Sequence, residues 1–141
     1  AGYLGSLLWG VLLVMLAHAR RISPSWILGG VGGVVVALTV VYVRSLFGVG
    51  FGILFGGVLM VGGRLLPALW ASRTLLVLGL TSCLYAILDI KSDVLERSHL
   101  PSDAAMLAEV TGVPTVVWGV LWIVVAVGVS VVLFRWAWKR A

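Results

Sequence analysis

Charge is what this sequence has least of: ten of its 141 residues are Lys or Arg and five are Asp or Glu, 11% in all. A water-soluble domain of this length needs far more polar surface to cover its core, so a soluble enzyme or binding module is excluded. One cysteine, Cys83, rules out a disulfide framework within a single chain. The two histidines, His18 and His99, belong to no H-E-x-x-H run, the helical pair that binds zinc beside a glutamate base. Glycine is abundant, yet no G-x-G-x-x-G follows a strand, so a phosphate-cradling loop is not supported. No basic region precedes "AGYLGSLLWGVLLVMLA", as a signal peptide would require. The start reads instead as a chain cut inside a longer protein, just before a membrane helix.

What remains is apolar. Hydrophobic residues make up 62% of the chain, and several runs reach the roughly 17–25 residues needed to cross a bilayer. Five membrane segments can be drawn: Tyr3–Ala19, Trp26–Val43, Leu46–Gly63, Pro67–Leu88 and Pro114–Phe134. The links "RRISPS", Arg44-Ser45 and the turn at Arg64 are too short to be separate domains. A polar connection, Asp89–Val113, holds all five acidic residues, and "SDAAMLAEV" within it reads as a short helix capped by Ser102 with Asp103 in its first turn. The expected fold is all-α: a polytopic transmembrane bundle of about five membrane helices plus a short polar or interfacial helix, forming a single domain over 1–141.

The net charge of +5 does not point to nucleic acid, because basic residues occur one or two at a time between apolar segments, as helix-end anchors do. The first and third connections and the tail hold Arg20, Arg21, Arg64, Arg73, Arg135, Lys139 and Arg140; the second and fourth hold Arg44, Lys91 and Arg97. The positive-inside rule then predicts a cytoplasmic C-terminus and an external acidic connection. Trp136 and Trp138 fall in the cytoplasmic aromatic belt on that reading. The expected surroundings are a lipid bilayer, and the oligomeric state is not legible.

Gly48, Gly52 and Gly56 recur every four residues, and Gly29 and Gly33 repeat the spacing in the preceding segment. Small residues at that interval let helix backbones approach closely in lipid, so these five are expected to pack helices.

The stretch "YAILDIKSDVLER" poses the functional question. Thr74–Leu88 spans only about 22 Å as a helix, against a hydrocarbon core about 30 Å thick. The helix must start earlier, near Pro67, or run past Asp89. At 100° per residue Ser82, Tyr85, Asp89, Asp93 and Glu96 form one polar stripe, and Cys83 lies off it. Either the stripe is a helix turning polar as it emerges into water, or Asp89 lies at membrane depth and needs a proton, cation or metal as partner. His18 reads as an interfacial helix-end residue and His99 as a solvated loop residue.

The order of "AGYLGSLLWGVLL", "VVYVRSLFGVGFG", "LYAILDIKSDVLER" and "PSDAAMLAEVTGVPTVVWGVLW" resembles the bacterial branch of the site-2 protease clan, the intramembrane zinc metallopeptidases. The resemblance rests most on D-I-x-x-D at Asp89–Asp93, on Ser102-Asp103, and on W-G-x-x-W at Trp118–Trp122. It implies a zinc-dependent peptidase acting on membrane-protein or peptide substrates, in a bacterial plasma membrane. It also implies an upstream histidine pair and catalytic glutamate, with Asp89 as the third ligand and Asp93 as second choice. Ser82, Tyr85, Trp118 and Trp122 would support that site. Site-2 proteases work near the cytosolic face, whereas the charge count places Asp89 outside. The competing reading is a non-catalytic integral membrane protein, a scaffold or small transporter subunit.

Overall fold

The computed structural model describes residues 2–96 and 101–140. They form α1 (Gly2–Ala17), α2 (Pro24–Tyr42), α3 (Leu46–Leu65), α4 (Ala68–Lys91), a π turn (Ser92–Glu96), α5 (Asp103–Thr111) and α6 (Thr115–Arg140). No strand occurs among the described residues. Among the described residues four segments are long and apolar enough to span a membrane: α2, α3, α4 with the first residues of the π turn, and α6. The chain is an all-α, integral membrane protein. The fifth expected span is present as α1, but its 16 residues reach only about 24 Å.

Helix ends follow local chemistry. Pro24 sits in the first turn of α2, where its missing N–H costs nothing. The Ser45 hydroxyl accepts from the Gly48 amide and caps α3. The Ser102 hydroxyl likewise accepts from the Ala105 amide and caps α5. Gly112 closes α5 at φ 73°, a left-handed conformation that costs glycine least. The length problem in the fourth segment resolves in both directions, because α4 begins at Ala68 and the helical path continues past Asp89 to Glu96.

The contacts divide into two compact units, one comprising Ala1–Val14 with Leu78–Ala141 and the other Met15–Val77. Their boundaries fall inside α1 and α4.

In the Met15–Val77 unit, α2 and α3 form an antiparallel hairpin with backbones in close approach. A Cβ on Gly56 would lie 2.8 Å from the Gly32 carbonyl oxygen, and one on Gly63 2.6 Å from the Gly29 amide nitrogen. A Cβ on Gly52 would overlap the Thr39 side chain, which turns its hydroxyl back to donate to the Val35 carbonyl at 2.7 Å. Gly32, not singled out by the four-residue spacing, therefore shares the seam with Gly52, Gly56 and Gly63. Gly29 contributes its backbone there, but Cβ positions on Gly29 and Gly33 meet open space. Gly48 faces its own cap, Ser45.

In the other unit, α1 packs antiparallel on α4. A Cβ on Gly10 would lie 2.6 Å from the Cys83 sulfur, and one on Gly79 2.8 Å from the Gly10 carbonyl oxygen. The buried face of α4 in this unit runs through Gly79, Cys83, Ala86 and Ile90 to Val94 of the π turn, at intervals of three and four. Cys83 is a free, buried thiol on that face.

Candidate functional site

The last turns of α4 carry the residues that sequence reasoning singled out. Ser82 donates its hydroxyl to the Ser6 carbonyl of α1 at 2.9 Å and so helps pin the two helices. Tyr85 is 65% exposed, and Asp89 is exposed too, at the flank of the buried Cys83–Val94 face. Both aspartates fall inside the apolar stretch Ala68–Val94, in which an ionised carboxylate requires a partner.

Asp93 has a different environment. It lies in the π turn, where the backbone winds more widely than in the α-helix before it. The side chain is half-buried and accepts the Tyr3 O–H at 2.7 Å. This bond ties the start of α1 to the end of α4 across ninety positions of sequence. Glu96, at the end of the turn, is exposed. Arg97 and His99 lie outside the described residues.

α5 and α6 close round this end. A Cβ on Gly119 would overlap the Val94 side chain, so the glycine of W-G-x-x-W is what lets α6 pass against the π turn. Trp118 donates its indole N–H to the Thr111 hydroxyl at 3.1 Å, linking α6 to the end of α5. Trp122, one turn further along α6, has different surroundings. It lines a cavity of about 250 Å³ with Tyr3, Leu4, Asp103, Met106 and Leu107, and its buried indole N–H has no acceptor among the described residues. An unmet buried donor costs about 1–3 kcal/mol. The cavity has mostly apolar walls, with Asp103 at its lining. The ring of Tyr3 lines the cavity while its hydroxyl holds Asp93.

Sequence reasoning did not single out Tyr3. Its only signal was a phenol at the start of an apolar helix, where a hydroxyl needs a partner. Trp122 was marked by its motif alone, and nothing in the sequence distinguished its orientation from that of Trp118.

The Peptidase M50B-like family matches residues 1–133. The chain belongs to that family. No curated protein and no solved structure matches it. Peptidases of the M50 group are generally zinc-dependent, so the donor set of this M50B-like chain can be tested against the metal. Zinc takes four donors from Cys, His and carboxylates. Among the described residues no three His, Cys, Asp or Glu converge. The residues present fit a carboxylate contribution to a zinc centre, not a complete set of ligands.

Proposed function

We propose that this M50B-like chain supplies the carboxylate side of the zinc centre in an intramembrane metallopeptidase, with Asp89 as ligand and Asp93 as the second choice. The observation that carries the reading is the family match over residues 1–133. It is supported by two aspartates at the end of a 27-residue apolar segment. When bound, zinc would polarise the scissile carbonyl and lower the pKa of its water. The histidine pair and glutamate base of that chemistry are not among these 141 residues.

The chain's own residues hold the carboxylates and shape their surroundings. Asp89 is exposed on α4 and open to a ligand. Asp93 is fixed by the Tyr3 hydroxyl, which leaves its other oxygen able to accept a proton or a metal. The cavity beside Tyr3 suits an apolar side chain of a peptide. Such a substrate is an extended segment of a membrane protein, drawn from the surrounding bilayer.

The test uses the full-length gene product in detergent or lipid with a transmembrane reporter peptide. Cleavage should stop on chelation and return with added zinc. A full-length protein that carries no zinc and cleaves no transmembrane segment would favour the scaffold or transporter reading.

A further inference from the structure

The α2–α3 seam is close-packed at Gly52, Gly56, Gly32 and Gly63, and a groove runs beside it where α2 begins. A cavity of about 550 Å³ remains there, lined by Ser25, Trp26, Gly29, Gly30, Met60 and Arg64, among others. That volume falls in the range of about 300–1,000 Å³ typical of small-molecule sites.

Its chemistry divides along its length. At one end stand the Arg64 guanidinium, in the last turn of α3, and Ser25, in the first turn of α2. The remainder is a furrow floored by Gly29 and Gly30 and walled by Met60. The furrow exists because these two glycines carry no side chain, and a Cβ on either would meet nothing within 4 Å.

Its position in the bilayer follows from length. α2 has 19 residues and α3 has 20, so each rises about 29–30 Å and just spans the hydrocarbon core. Arg64 and Ser25 then lie at the headgroup level, and the furrow leads from there along the helices. Trp26, 81% exposed, stands at the depth where tryptophan anchors a helix.

Charge decides what fills the cavity. The stretch from Met15 to Val77 contains Arg20, Arg21, Arg44, Arg64 and Arg73 and not one Asp or Glu. No carboxylate of its own unit can neutralise Arg64. A cation at the rim of an apolar furrow, at headgroup depth, calls for a ligand with an anionic head and a hydrocarbon tail. Free phosphate would leave the furrow empty. A zwitterionic lipid would bring a second cation to a unit that already has five.

We propose that this cavity binds an anionic phospholipid, with its phosphate against Arg64 and one acyl chain along the Gly29–Gly30–Met60 furrow. The site belongs to a different unit from the carboxylate end of α4, and its binding can be read without peptidase activity.

The experiment releases the full-length protein from vesicles of equal parts phosphatidylglycerol and phosphatidylcholine and counts retained lipid by native mass spectrometry. Wild type should retain phosphatidylglycerol at least fivefold in preference. Arg64→Gln should lose about fivefold of that preference, the equivalent of about 1 kcal/mol per basic residue at an anionic surface. Gly30→Leu, whose side chain fills the furrow without meeting the fold, should lose it as well. Arg44→Gln, at the opposite turn of the hairpin, should keep it. Three outcomes would overturn the proposal: equal retention of both lipids by wild type, equal losses in the Arg44 and Arg64 variants, or displacement of the lipid by inorganic phosphate.

Discussion

Tyr3 and Asp93 stand ninety positions apart and meet through one hydrogen bond of 2.7 Å. A side-chain hydrogen bond of this kind contributes about 0.5–1.5 kcal/mol. Tyr3→Phe keeps the ring that lines the neighbouring cavity and removes only the hydroxyl. It should lower thermal stability in detergent by that amount, whereas Tyr42→Phe, at an exposed position, should leave it unchanged. Equal melting temperatures for all three proteins would mean that the bond does not hold α1 to α4. The carboxylates were legible in the sequence because charge is scarce and periodicity put them on one stripe. Their different surroundings were not. The partner of Asp93 comes from a helix at the other end of the chain, and no local pattern encodes that pairing.

At the scale of the element, the glycines show how far periodicity reaches. Spacing of four marked α2 and α3 as closely packed helices, and their backbones do approach closely. It could not decide which of two adjacent glycines faces the partner, since Gly32 and Gly33 are chemically identical and differ only by 100° of rotation. A Cβ on Gly32 would lie 2.7 Å from the Met60 amide nitrogen, while one on Gly33 meets nothing within 4 Å. The two alanine substitutions should therefore have opposite signs. Gly32→Ala forces the helices apart and should cost about 1–3 kcal/mol, the usual range for overpacking. Gly33→Ala should gain up to about 1 kcal/mol, because alanine is the better helix former. Reversible unfolding in mixed micelles measures both, and losses of the same size would show that the seam has been assigned to the wrong face. Capping was more legible, since Ser102 and Gly112 bound α5 through local chemistry. The π turn was not, because a single wider turn leaves no periodic trace in five residues.

At the scale of the molecule, composition alone gave the class, for 62% hydrophobic residues leave no soluble alternative. Orientation is the open expectation. The seven-to-three distribution of Lys and Arg predicts that α5 lies outside and the end of α6 inside. With Cys83→Ala as background, Glu109→Cys should react with an impermeant thiol reagent in intact cells and Lys139→Cys should not. The reverse pattern would put the carboxylates at the cytosolic face, where site-2 proteases work. The central claim, a zinc-bound carboxylate on α4, is tested most directly by metal content. Asp89→Asn keeps the side chain's size and removes the charge that holds a metal. In the full-length protein at matched expression and insertion, it should abolish bound zinc and reporter cleavage together. Asp93→Asn should lose less and Glu96→Gln almost nothing. Full zinc occupancy in the Asp89 variant would contradict the account, and a larger loss at Asp93 would move the ligand to the carboxylate that Tyr3 holds.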